Sequence, residues 1–215
     1  MDSKKALSYI FPSIVKKGIT SKGQTFEICY ENGIKVLNSN NANYSYGSLH
    51  SVMQKGIAEI LKKQSVNSVL MLGLGAGSAI EILHKKCPVT PVITAIEYDE
   101  DIVKIACEDF NIQRFKQLKL IVADAFQWLN NNTTTYDLII DDIFVDDTIP
   151  EQCFNADYLN RIANSLNPGG IYFRNMMNLS TQQTVSYQQL VNAAFSSVDV
   201  MKVKVYNNLI YLCKK

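Results

Sequence analysis

Apolar residues along this chain fall into two kinds of run, and the order of the two kinds predicts the architecture. From Val66 onward, continuous apolar runs of strand length are separated by stretches whose apolar residues recur at helical spacing. The runs predict strands near 66–72, 91–97, 118–122, 136–142 and 170–176. Helices are expected between them, near 78–86, 100–110, 124–131 and 154–166, with Asn167-Pro168-Gly169-Gly170 closing the last one before the fifth strand. A further helix is expected near 180–195. The tail reads as an antiparallel hairpin, 198–206 and 209–213 around a turn at Asn207-Asn208. Unbroken apolar strands alternating with helices call for a parallel sheet covered on both faces.

The pattern before Val66 is different. Residues 25–30 and 34–38 are rich in β-formers and flank Glu31-Asn32-Gly33, and Asn-Gly between such segments is a strong hairpin signal. Residues 1–21 are expected to pack as an arm, since Pro12 limits any helix through the apolar stretch 6–11. After the polar, turn-rich stretch 38–47, the residues Leu49, Val52, Met53, Ile57, Ile60 and Leu61 mark a helix leading into the first core strand. The expected division is an N-terminal arm and small β element at 1–48, followed by the main α/β domain at 49–215.

The first core strand breaks into Gly73, Gly75 and Gly77 and then into a helix. Glycines let the backbone turn tightly and approach a ligand, and the helix start behind them offers unpaired N–H groups. Glu97 ends the second strand about 20 residues after Gly77, where a carboxylate that binds ribose hydroxyls is expected. Strand, glycine loop, helix and distant acid together point to a nucleoside-containing cofactor. Ser78 stands where the third glycine of the dinucleotide fingerprint would fall, which favours a cofactor without pyrophosphate, such as S-adenosylmethionine, over NAD.

Acids also close the next strands. Asp124 follows the third, where it reads either as a ligand to the nucleoside or as the N-cap of the helix behind it. Asp141 and Asp142 end the fourth, and strand alternation sends them to opposite faces, so at most one meets a ligand. With Asp146, Asp147 and Glu151 they form an acidic stretch open to several readings: a solvated loop, a pocket for a cationic amine, a general base, or a divalent metal site.

Charge and cysteine usage narrow the partners. With 21 Lys and Arg against 20 Asp and Glu, the net charge is +1, so no electrostatic footprint for nucleic acid or an anionic membrane is present. No signal-peptide core or run of membrane-span length occurs, and a cytoplasmic protein is expected. The five cysteines form no C-x-x-C pair and are expected as reduced thiols. Only His50 and His84 are present, which disfavours a histidine-rich metal centre, and no metal is expected.

The segments GLGAGS, AIEYD, VADA, YDLIIDD and LNPGGIYFRN, in this order and spacing, resemble the class I S-adenosylmethionine-dependent methyltransferase fold, and specifically its spermidine-synthase-like branch. The resemblance covers residues 27–177 and includes the N-terminal hairpin. It implies a Rossmann-like, doubly wound, mostly parallel seven-stranded α/β sheet with an antiparallel C-terminal hairpin. It also implies that Gly73, Gly75 and Gly77 contact the cofactor, Glu97 its ribose, and Asp124 with Ala125 its adenine. Asp142 matches the first acid of the D-x-x-D motif that handles the amine in aminopropyltransferases, and is the candidate general base. Three positions depart from that pattern: Val145 stands at the second acid, Ala76 replaces the acid of the glycine loop, and His50-Ser51-Val52 replaces Tyr-x-Glu. His50 and Asp146 are the remaining candidate substrate contacts. The expected function is methyl transfer from S-adenosylmethionine to a small acceptor such as an amine. Aminopropyl transfer from the decarboxylated cofactor and a non-catalytic nucleoside-binding module are the alternatives. Resemblance to the family also implies a homodimer formed through the N-terminal region.

Overall fold

The computed structural model describes residues 3–39, 43–45, 47–203 and 208–215. After a short helix α1 (Ser3–Leu7), the strands β1 (Ser13–Ile19), β2 (Thr25–Glu31), β3 (Ile34–Asn38) and β4 (Asn43–Ser45) form an antiparallel sheet in that order. The β2–β3 turn is the one expected. Asn32 and Gly33 both take positive φ, 49° and 77°, as a two-residue hairpin turn requires. The expected hairpin is nevertheless the middle of four strands, because part of the expected arm is β1, paired antiparallel to β2. Lys16, Lys17 and Gly18 interrupt its apolar pattern, which an edge strand tolerates because only one side of it is covered.

The main unit comprises α2 (Gly47–Lys63), β5 (Ser68–Leu72), α3 (Ser78–Lys86), β6 (Val92–Glu97), α4 (Glu100–Glu108), β7 (Leu118–Val122), α5 (Ala125–Asn131), β8 (Tyr136–Asp141), α6 (Ala156–Asn164), β9 (Leu166–Met176), α7 (Thr181–Ala194), β10 (Ser197–Val203) and β11 (Asn208–Lys214). Its seven strands run in the order β7-β6-β5-β8-β9-β11-β10, with β5 to β9 parallel and the last two antiparallel. Of the tail hairpin, 204–206 and Asn207 lie outside the described residues.

Alternation within β5 shows why the sheet is covered twice. Val69 and Met71 join a core with Val52 and Ile57 of α2, Ile80 of α3 and Ile105 of α4. Leu70 and Leu72 join the other, with Leu129 of α5, Leu159 of α6 and Val191 of α7. The first core also takes in Ile28 of β2 and Leu37 of β3, so the small sheet packs on the main unit through apolar contact. Among the described residues, no helix is long and apolar enough to cross a membrane.

One boundary differs from expectation. Helix α6 ends at Asn164, and Leu166 already pairs with Tyr136, so Asn167-Pro168-Gly169-Gly170 lies inside β9 rather than closing the helix. The ladder resumes only at Leu138 and Ile171, which makes the four residues a bulge, with Gly169 at φ 76°.

Candidate functional site

Register aligns the carboxyl ends of three strands: Leu72 of β5 lies beside Ile96 of β6 and Asp141 of β8. Strand order reverses between β5 and β8, which is where an open α/β sheet leaves its ligand crevice. The glycine loop crosses this edge. Gly73 has φ 83°, and a Cβ on it would come within 2.7 Å of the Asp142 carbonyl oxygen, so the loop lies directly on the end of β8.

A cleft of about 310 Å³ opens there, within the size range of small-molecule sites. Gly73, Gly75, Glu97, Asp124, Ala125, Asp142 and Asp146 all line it. Glu97, Asp124 and Asp142 sit at strand ends and Asp146 in the loop after β8, and the wall between them is largely apolar, from Ile96, Ile102, Phe126, Ile143 and Phe144.

Glu97 is held by backbone donors. The N–H groups of Leu74 and Asp99 reach its two oxygens at 2.9 and 3.1 Å, tying the glycine loop to the end of β6. Burial pushes its carboxyl up from the usual value, and these donors oppose the push. Asp124 takes the N-cap reading of its position, capping α5 and accepting from the Gln127 N–H at 2.9 Å, and also borders the cleft.

Asp141 and Asp142 point to different surroundings, as alternation requires. Asp141 is fully buried and forms an ion pair with Arg174, itself fully buried, while Tyr158 and Tyr172 donate to it at 2.7 and 2.8 Å. Arg174 also donates to the Ile143 carbonyl at 3.1 Å and lies over the Phe144 ring, fixing two residues of the cleft wall. Asp142 faces the cleft and, among the described residues, takes one side-chain donor, the Asn175 amide at 3.0 Å. Burial pushes its carboxyl up to about 6, against the pull of Asn175 and Arg174.

Three expected site positions stand apart from the cleft wall. Gly77 opens α3, where a Cβ would meet Ile112 at 2.7 Å, so packing rather than ligand approach demands a glycine. His50 sits behind the loop, with Nδ1 2.7 Å from the Ser78 hydroxyl, and burial lowers its pKa. Ala76 is fully buried in the core, so an acid there would be desolvated by protein before it met any cofactor. Asp146 lines the cleft from a tight turn closed by the Val145 and Thr148 backbone groups, at φ 57°, and accepts from the Ser39 hydroxyl.

Sequence reasoning missed several lining residues. Gln24 comes from the turn between β1 and β2, and Tyr98, Phe144, Gln152, Asn175 and Met177 come from strand ends and loops. Arg174 carried a signal, since a charged residue inside the apolar run of β9 needs a buried partner.

Comparison with known proteins identifies the fold and the family. A probable polyamine aminopropyl transferase of Bifidobacterium longum is 32% identical over 119 residues, 55% of this chain and 26% of that protein. An eEF1A lysine and N-terminal methyltransferase homolog of Drosophila pseudoobscura pseudoobscura is 26% identical over 148 residues, 63% of this chain and 22% of that protein. The chain thus spans about a quarter of the length of these relatives. The structure of human methyltransferase-like protein 13 in complex with SAH superposes with a TM-score of 0.67 at 23% identity, over 78% of this chain and 82% of that one, and shares the fold. The family model of the spermine/spermidine synthase domain matches residues 50–211, from the start of α2 into β11, and the chain belongs to that family.

Proposed function

We propose that this chain binds S-adenosylmethionine across the carboxyl ends of β5, β6 and β7 and transfers its methyl group to a small acceptor held beside Asp142. The observation that carries the reading is one cleft lined by the glycine loop, Glu97 and Asp124 at the nucleoside side and by Asp142 at the end of β8. When bound, the cofactor supplies an activated sulfonium. The protein's part is to align donor and acceptor and to take a proton. Glu97 accepts from the ribose hydroxyls and Asp124 from the adenine amine. The bound cofactor would supply the methyl group and keep the S–CH3 electron pair on its sulfur, and Asp142 would take the proton that the acceptor sheds as its lone pair forms the new bond. With its carboxyl at about 6, Asp142 is mostly ionised at pH 7 and close enough to neutrality to act as a base.

Aminopropyl transfer from decarboxylated S-adenosylmethionine is the second reading, favoured by the family match and by Asp142. Against it, Val145 occupies the second acid position on the cleft wall, beside Ile143 and Phe144, and leaves Asp146, held in a tight turn, to meet a second ammonium in its place. Incubation with each donor and a panel of small amines, read by mass spectrometry, tests both. Methylated product from the intact donor supports the first, a spermidine product replaces it with the second, and binding of either donor without turnover leaves a nucleoside-binding module.

The proposal includes a cytoplasmic homodimer joined through the N-terminal sheet. Exposed Leu7, Tyr9, Ile10 and Phe11 beside that sheet support it. Light scattering that gives the monomer mass would remove the dimer.

A further inference from the structure

The mechanism above leaves unused a buried amide pair behind Asp142. Asn175, near the end of β9, is 1% exposed, and Asn208, opening β11, is 6% exposed. The Asn208 amide donates to the Asn175 oxygen at 2.8 Å, and the Asn175 amide donates to Asp142 Oδ1 at 3.0 Å. The order has a direction. An ionised carboxylate only accepts, so Asn175 must turn its NH2 towards Asp142, and its oxygen then needs a donor on the far side. Asn208 is that donor. Without it the buried Asn175 oxygen would lose its partner, and the amide would be held less firmly with its NH2 towards Asp142.

We infer that Asn208 and Asn175 form a directional relay that keeps Asp142 Oδ1 as a hydrogen-bond acceptor and reserves Oδ2 for exchange of the acceptor's proton. Both are positioning residues, and the functional meaning rests on the transferase reading, whereas the relay itself does not. Other charges also face Asp142: Asp141 at the end of β8 opposes its ionisation and Arg174 of β9 favours it. Glu97, Asp124 and Asp146 share its cleft.

The test reads Asp142 directly. Carboxyl 13C NMR titration of the full chain, with the Asp142 signal assigned by its loss in Asp142→Asn, gives a midpoint for wild type, Asn175→Leu, Asn208→Leu and the double variant. Loss of Asn175 should raise the midpoint by about one pH unit, the equivalent of one hydrogen bond to a charged group. Asn208→Leu should raise it in the same direction by less, and adding it to Asn175→Leu should change nothing further, because Asn208 acts only through Asn175. Asn208→Ala serves in its place should the leucine variant fail to fold by circular dichroism. An unmoved midpoint on loss of Asn208, or full additivity in the double variant, overturns the relay. Absence of turnover with every acceptor would instead count against the transferase reading and leave this titration standing.

Discussion

Two neighbouring aspartates at the end of β8 have opposite fates. Asp141 turns inward to a fully buried setting with a guanidinium and two phenols as partners. Asp142 turns to the cleft with one neutral amide, and its carboxyl sits at about 6. Identical side chains one residue apart thus become a buried anchor and a cleft-facing carboxylate, as strand alternation separates them. The anchor serves the cleft side, because the Arg174 that neutralises Asp141 also holds the Ile143 carbonyl and the Phe144 ring in the cleft wall.

The strongest way to break this pairing of roles is to remove the cleft-facing member, the proposed base. Asp142→Asn should lower turnover by about 10² to 10⁴ while cofactor affinity stays near wild type, as expected for a general base that does not hold the nucleoside. Steady-state kinetics with isothermal titration separate the two, and near-normal turnover would hand the role to Asp146 or to positioning alone.

Removing the anchor should act on stability instead. Arg174→Met leaves Asp141 buried without its counter-charge, and breaking such a pair costs about 3–5 kcal/mol. Urea unfolding measures it. A loss under 1 kcal/mol would mean that Tyr158 and Tyr172 alone satisfy the carboxylate.

Which half of this comparison the sequence revealed follows from distance along the chain. The glycine loop, Glu97 and Asp124 are each local signals, a turn or a strand end, and all but Gly77 reach the cleft. Alternation also stated correctly that only one of Asp141 and Asp142 meets it. The anchor was hidden because its partners lie far off in sequence: Tyr158, Tyr172 and Arg174 are 17, 31 and 33 residues from Asp141. The strand β1 was hidden for another reason. Its lysines satisfy an exposed edge and erase the period that marks a strand. Ala76 reads as a loop position near a ligand, yet the three positive-φ glycines around it turn its side chain into the core.

A smaller effect tests the nucleoside half of the cleft against the acceptor half. Glu97→Ala should weaken S-adenosylmethionine binding roughly tenfold or more, since ribose hydroxyls lose a charged acceptor worth about 1.5–3 kcal/mol per bond. The backbone N–H groups of Leu74 and Asp99 lose their carboxylate acceptor as well, so the glycine loop should loosen. Unchanged affinity by isothermal titration would place the ribose elsewhere.

The smallest expected effect separates the two aspartates by sign. Asp142 titrates at about 6 in the folded chain, while an unfolded Asp titrates near 3.9. Between about pH 4 and pH 6 the folded state therefore binds more protons than the unfolded one, and stability falls as pH rises through that window. Above it the ionised Asp142 is a standing cost of folding. Asp142→Asn removes that cost, so the variant should be more stable than wild type at pH 7.5. The full shift corresponds to about 3 kcal/mol; contact with the open cleft and the new amide facing Asn175 reduce the expected gain to about 1–2 kcal/mol. The gain should shrink as pH drops through 6 and vanish below about 4, where both forms are neutral. Thermal melts of both proteins across pH 3.5 to 7.5, chosen to bracket the roughly 4 to 6 window, give the comparison directly. A variant no more stable at pH 7.5 would mean that Asp142 is solvated like a surface carboxylate. The base proposed here would then lack the burial that tunes it, whereas the opposite signs expected for Asp142→Asn and Arg174→Met would establish that one strand end carries a charge the fold needs beside a charge it merely tolerates.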